Sequence, residues 1–493
     1  MKRIFPLSFY NPLTLVGAAV AVVSFGLIVF LMLLETVAAR QKPYMGVVAF
    51  VILPGFLIAG LTLIAAGVLR EYRRNRQGAS EERSLPIINL NDPKSRTVFT
   101  VFSVGTILLL MFTAFGSFKA YEYTESDQFC GVLCHKVMEP EYAAYRFSPH
   151  ARVGCVQCHI GSGADWFVRS KISGLYQVYA TVLNIYPRPI PTPVTNLRPA
   201  QETCEQCHWP KYFYREKLKV GTYFLSDEHN IPWTLTMLLR IGGGSTETGP
   251  TSGIHWHMNI LNEVTYVAAD PQRLVIPLVT VRSPDGSQRT YRNTLQKEVP
   301  GIVRRRMDCL DCHNRPTHIY HHPSESVNQL LGLGRIDPRL PNIKSLAVKT
   351  LDEPYPSRET AILEIRRRIT EFYQGNYPEI ARSMKEDVER AVVEIQKIYE
   401  RNYFPGMKVS WKAFPDHIGH LHSPGCFRCH DGNHVSDDGT VLSKDCNLCH
   451  VIIAQQFQKQ SPRFSLSGLD YRHPGEIGDA WKEMSCSECH GSQ

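Results

Sequence analysis

Fourteen cysteines fall into seven pairs, and every pair ends on a histidine. The pairs are Cys130/Cys134, Cys155/Cys158, Cys204/Cys207, Cys309/Cys312, Cys426/Cys429, Cys446/Cys449 and Cys486/Cys489, followed by His135, His159, His208, His313, His430, His450 and His490. Six pairs have the spacing Cys-x-x-Cys-His; the first, Cys130-Gly-Val-Leu-Cys134-His135, is one residue longer. Two thiols at this spacing reach the two vinyl groups of one porphyrin, and the adjacent imidazole then points at the iron. The pattern therefore predicts covalent c-type haem at each pair. Zinc would draw four ligands from paired knuckles and gives no reason for a histidine after every pair. Disulfides would leave the histidines unexplained. The expected cofactor set is seven covalently bound haem c, with the histidines as proximal ligands.

Covalent haem is attached outside the cytoplasmic membrane, so the haem-bearing part is expected to face the periplasm. Three apolar runs precede it: Asn11–Leu34, Tyr44–Leu69 with a kink expected at Pro54-Gly55, and Thr97–Gly116. Each is long enough to span a bilayer. The first is too long for a signal peptide and is read as an uncleaved helix. Arg70, Arg73, Arg74, Arg76, Arg83, Lys94 and Arg96 crowd between the second and third runs, against Arg40 and Lys42 between the first two. Basic loops stay inside. The amino terminus is thus expected in the cytoplasm and everything after Gly116 in the periplasm, in the inner membrane of a bacterium.

The expected architecture is a membrane-anchored multihaem cytochrome c with three transmembrane helices and a haem-packed, mostly α and irregular periplasmic region. Residues 1–96 hold two spans and the basic loop, and 97–325 the third span with four haem sites. Residues 326–415 form a helical linker and 416–493 a trihaem block. A β insert is expected at about 209–303, with strands near Trp256–Ile260, Val264–Ala268, Leu274–Val281 and Gln288–Tyr291. A helical hairpin is expected from two stripes, Ile362, Ile365, Ile369, Phe372 and Ile380, Met384, Val388, Val392, Ile395, Tyr399, separated by Pro378. The formal charge is +8. Each oxidised bis-imidazole haem c carries about −1, which offsets that charge and sets nucleic acid aside as a partner.

Twelve histidines remain after the proximal seven. Those nearest the Cys-His sites, His150, His318 and His434, are the first candidates for the far face of an iron. One of His417, His420 and His422, then His473, and one of His255 and His257 follow. Met138, three residues after His135, is a candidate ligand for the first haem, where a thioether would raise the potential.

Residues Thr97–Tyr320 resemble the NapC/NirT/NrfH family of membrane-anchored tetrahaem quinol dehydrogenases. The likeness rests on one anchor helix, a first Cys-His site with a nearby methionine, and Ser148-Pro-His150 ahead of Cys155-Val-Gln-Cys158-His159. Cys309-Leu-Asp-Cys312-His313 with His318 five residues on completes it. The resemblance implies that His150 ligates the fourth haem and His318 the second. It also implies that quinol meets the first haem beside a lysine and a carboxylate. Lys171 lies where the lysine is expected; Gln177 occupies the neighbourhood of the carboxylate, for which Asp165 or Glu139 can substitute. The two extra spans, the insert and the trihaem block depart from this family and resemble the inner-membrane heptahaem cytochromes of metal-reducing bacteria.

The sequence thus points to a quinol dehydrogenase that takes electrons from menaquinol and hands them to periplasmic c-type cytochromes, in anaerobic respiration or extracellular metal reduction. Two alternatives stand beside it. One is a terminal reductase of a small oxyanion, served by Arg304, Arg305 and Arg306. The other is an electron-relay subunit of a larger complex.

Overall fold

The computed structural model describes residues 11–37, 52–76, 121–133, 135–161, 163–194, 197–209, 216–242, 252–259, 261–296, 304–457, 461–475 and 477–491, with scattered positions between 90 and 119. Most of the expected third span, the first part of the second, much of the basic loop and Cys134 lie outside the described residues. The chain divides into two compact units, residues 1–126 with 159–176 and residues 127–158 with 177–493.

In the first unit, helices Pro12–Val37 and Leu53–Arg76 pack together. Among the described residues these two are long and apolar enough to cross a membrane. Small residues set their approach. A Cβ on Gly17 would meet the Gly60 carbonyl at 2.7 Å, and one on Gly60 would meet the Ala21 nitrogen at 2.8 Å. Where lipid tails match the side chains in polarity, such backbone contact replaces hydrophobic burial as the source of association. Val22, Phe25, Phe30, Phe56 and Ile58 face outward, as a lipid-facing surface requires. The second helix runs past its expected end at Leu69 to Arg76; Arg70, Arg73, Arg74 and Arg76 fill its last turns, where cations complement the helix dipole.

The second unit contains two antiparallel sheets and a helical module. The strands are β1 Lys217–Phe224, β2 Pro232–Leu239, β3 Glu263–Val267, β4 Leu278–Arg282, β5 Gln288–Asn293, β6 Arg305–Arg306, β7 His434–Ser436, β8 His450–Phe457 and β9 Arg463–Phe464. One sheet runs β1-β2-β8-β9 and the other β6-β3-β4-β5-β7. Two expectations are corrected here. The strand expected at Trp256–Ile260 is instead a single 3-10 turn, Ile254–Met258, entered through Gly253 at φ 81. The strand expected from Leu274 begins at Leu278, after Pro277, which has no N–H to give to a ladder. Nor is the insert closed on itself. Leu239 pairs with His450 and Asn293 with His434, so both sheets are completed from the last hundred residues.

The helical module comprises helices Pro323–Gly332, Ile343–Leu351, Arg358–Asn376, Pro378–Ser383 and Lys385–Asn402. Its core closes on Ile365, Ile369, Tyr373, Val392, Ile395 and Tyr399, each 2% exposed or less. Full burial of one such aliphatic side chain contributes roughly 2 kcal/mol. The stripe on Arg358–Asn376 runs Ala361, Ile365, Ile369, Tyr373, with Ile362 and Phe372 at its edges. Pro378 opens a short helix that breaks at Met384, so the second expected helix comes in two pieces. Helix His135–Arg146 joins the same core through Val137 and Ala144.

Candidate haem sites and a lysine–glutamate pair

No disulfide joins the described cysteines. Cysteines of consecutive sites lie within hydrogen-bonding or electrostatic reach of one another: Cys130 with Cys155, Cys158 with Cys207, Cys204 with Cys309, Cys312 with Cys426, Cys426 with Cys449 and Cys446 with Cys486. The cysteine pairs therefore follow one another in space in their order along the chain.

Exposure divides the cysteines. Cys207, Cys446 and Cys489 are exposed, whereas the other described cysteines are half-buried. Cys489 is one of the three exposed cysteines among those described. It lies on the helix Cys486–His490, which buries none of its residues. A thioether link needs a sulfur at the right spacing rather than a protein wall around it.

Metal–imidazole bonds of about 2.0 Å on both faces of an iron, with roughly 1.1 Å from each nitrogen to its ring centre, hold two axial ring centroids roughly 6 Å apart. Five proximal histidines face a second imidazole at that separation. His208 faces His150 at 5.9 Å, His313 faces His255 at 6.4 Å and His430 faces His257 at 5.9 Å. His450 faces His420 at 6.1 Å and His490 faces His473 at 6.2 Å. A gap of that width between two rings is too wide for stacking and fits an iron between them. The ring planes fall into two classes. They are close to perpendicular for His150/His208 (73°) and His257/His430 (80°), and within 30° of parallel for the other three pairs.

The surroundings of these rings suit metal ligation. The Nδ1–H groups of His150, His255, His257 and His430 donate to the carbonyls of Pro316, Ile241, Ile254 and Ser443 at 2.8–3.3 Å. That tautomer leaves the Nε2 lone pair for an iron. Nδ1 of His420 and of His450 is buried with no hydrogen-bond partner among the described residues. Burial pushes His255, His257, His313, His420, His430, His450 and His490 below the ordinary imidazole value, favouring the neutral form that binds a metal. A cavity of about 950 Å³ opens beside Cys446, His450, Tyr471, His473 and Trp481, ample for a porphyrin.

The remaining histidine candidates are placed differently. His434 is fully buried, with Nδ1 on the Asp431 carboxylate at 2.8 Å and Nε2 on the Ile276 carbonyl at 2.7 Å. Both nitrogens are spent, so the expectation that His434 ligates iron is not met. His417 contacts the Asp311 carbonyl and the Arg428 guanidinium through Nδ1; burial and Arg428 push it down to about 4. His422 stacks on His322 at 3.7 Å, too close for an iron between them. His150 faces the third site's His208, where the resemblance had implied the fourth haem. His318 donates from Nδ1 to the Glu141 carbonyl at 3.0 Å, and Arg315 clamps the Glu141 carboxylate at 2.9 and 3.0 Å. Met138 is half-buried on helix His135–Arg146.

In the first unit, Lys171 Nζ reaches Glu125 Oε1 at 2.6 Å and sits 4.9 Å from the Phe167 ring centre. The Glu125 side chain is 9% exposed, and its Oε2 is buried with no hydrogen-bond partner among the described residues. Sequence reasoning missed Glu125, which lies five residues ahead of Cys130. The expected carboxylate substitutes lie elsewhere. Glu139 pairs with Arg358 at 2.7 Å in the second unit, and Asp165 is exposed in the first turn of helix Ala164–Val182. Gln177 is exposed on the same helix.

Residues 92–189 match the NapC/NirT cytochrome c family, N-terminal region. The cytochrome c-type protein ImcH of Geobacter sulfurreducens is 43% identical over 486 residues, covering 98% of this chain and 95% of the relative. The chain belongs to the NapC/NirT family of c-type cytochromes. No solved structure matches it. A multihaem NapC/NirT cytochrome carries covalent haem c and serves membrane quinol-linked electron transfer. The family match spans the first two Cys-His sites, Glu125 and Lys171.

Within the basic run of this NapC/NirT cytochrome before its fourth site, Arg305 is already engaged. Arg305 donates to Asp311 Oδ1 at 2.9 Å and to Asp308 Oδ2 at 2.8 Å. Asp311 also accepts from Tyr266 at 2.6 Å and Arg273 at 2.5 Å, while Asp308 caps the Cys309–Cys312 turn. These cations brace the haem motif, so Arg305 is not an open anion site of the kind an oxyanion reductase needs.

Proposed function

We propose that this cytochrome oxidises a membrane quinol of the menaquinol class and relays the electrons through seven haem sites to a soluble periplasmic c-type cytochrome. The carrying observation is the Lys171–Glu125 pair with its unpaired, buried carboxylate oxygen. Oxidation of one quinol releases two electrons and two protons. Lys171 orients a quinol oxygen, and Glu125 Oε2 takes the first hydroxyl proton as the first electron leaves, passes it to water, and takes the second with the second electron, as a positioned base does. Bound haem supplies acceptance and release of one electron at a time. Met138, three residues after His135 on the same helix, would hold the first haem, and His159, next to Cys158, the second. The spatial succession of cysteine pairs supports a relay from the first site to the seventh. The amino terminus lies in the cytoplasm and the haem sites in the periplasm, with the apolar helices in the lipid.

The test is quinol:cytochrome turnover in Lys171→Ala and Glu125→Gln, with haem content measured alongside. Turnover falls by about 10²-fold or more in Glu125→Gln at unchanged haem content. Wild-type turnover in both variants would place the entry elsewhere.

A further inference from the structure

Two histidines that face proximal imidazoles sit on one short turn. Ile254–Met258 carries His255, opposite His313 of the fourth site, and His257, opposite His430 of the fifth. Those two sites are separated in sequence by the whole helical module, Pro323–Asn402. In a 3-10 turn, residues two apart leave on different sides, so one turn can serve two porphyrins. The turn is firmly seated. Ile254 and His255 donate backbone N–H groups to Arg240 and Ile241 at 2.9 Å, and Asn262 donates to the Trp256 carbonyl at 3.0 Å. A Cβ on Gly253 would lie 2.5 Å from the Arg240 carbonyl, so the chain enters where only glycine fits. Trp256 packs against the same buried cluster, Val264, Tyr266, Ile276 and Val279, as Cys429 of the fifth site, and it meets His257 edge-on at 5.8 Å.

We propose that the Ile254–Met258 turn is the electron junction between the four amino-terminal and three carboxy-terminal haem sites. His255 ligates the fourth iron opposite His313, His257 ligates the fifth opposite His430, and Trp256 fills the space beside the fifth. Cys312 and Cys426 lie within electrostatic reach across the same boundary. The β insert thus has a role: it carries the ligands that lock the trihaem block onto the tetrahaem half. The inference rests on the haem reading of the sites.

The experiment is potentiometric titration and low-spin EPR of full-length wild type, His255→Met, His257→Met and His434→Gln, with covalent haem counted by mass. A thioether in place of an axial imidazole raises the potential. In His257→Met one haem's share of the absorbance moves to higher potential, and one of the strongly anisotropic signals of perpendicular ring planes disappears. In His255→Met one haem also moves upward, with loss from the rhombic class of near-parallel planes. His434→Gln leaves both readouts unchanged. If either methionine variant fails to accumulate, the alanine variant at the same position decides in its place, through one haem changing from low spin to high spin. Wild-type titrations in both methionine variants, or a single ligand-plane class in wild type, would overturn the assignment. A mass without seven haems would overturn the underlying haem reading instead.

Discussion

Arg315 shows how much of this molecule depends on single buried charges. It is 6% exposed, holds both oxygens of Glu141, donates to the His318 carbonyl at 2.6 Å, and lies over the rings of Phe414 and Tyr320. Glu141 in turn holds His318 by its backbone carbonyl and carboxylate. Removing one partner of such a pair strands the other away from water. Arg315→Met is therefore expected to lower stability by about 3 kcal/mol, read as a shift in the denaturant midpoint. An unchanged midpoint would mean that Glu141 finds water. At this scale the cysteine motifs were legible because thioether attachment needs a fixed local spacing. How far each thiol is enclosed was not, since Cys489 and Cys486 share one motif and differ in exposure. The five facing histidines were all among the sequence candidates, but which proximal histidine each one faces was not legible, because nearness in sequence to a Cys-His site does not say where a ring points. His434, four residues from His430, is spent on Asp431 and Ile276, while His257 arrives from a distant turn.

Between elements, the β1–β2 hairpin docks on the helical module through buried polar contacts. Asn230 donates to the carbonyls of Pro338 and Leu340, Asn328 accepts from the Phe224 N–H, and the Lys344 ammonium donates to the Phe224 carbonyl. Burial drives Lys344 down to about 8 from 10.5. Its charged form is disfavoured in the fold relative to the unfolded chain. The cost is full below about pH 8 and is relieved as pH rises through 8 towards 10.5. Wild type is expected to gain on the order of 2 kcal/mol between pH 7 and pH 9.5 from this group alone. Urea midpoints at the two pH values check this: Lys344→Met should lack that component, and an equal gain in both proteins would refute it. The helical periods of this module were readable in advance from Ile365, Ile369, Val392 and Ile395. The hairpin at 217–239 was not, because its third neighbour, β8, comes from the far end of the chain.

At the largest scale, within the second unit, the sequence order of the cysteine pairs reappears as their order in space. Along the chain, the apolar helices and Glu125 precede the first site, and the Cys486/Cys489 pair closes the series. Membrane attachment was legible early, since apolar runs precede the first site. The Lys171–Glu125 pair was not, because the two residues meet only after the chain has folded back between them. The most direct test of the account is anaerobic mixing of the oxidised, detergent-solubilised protein with a menaquinol analogue, following the reduced haem α-band. The account predicts prompt reduction that is lost in Lys171→Ala. No reduction by quinol, together with rapid oxidation of the chemically reduced protein by nitrite, would contradict it and make the chain a reductase.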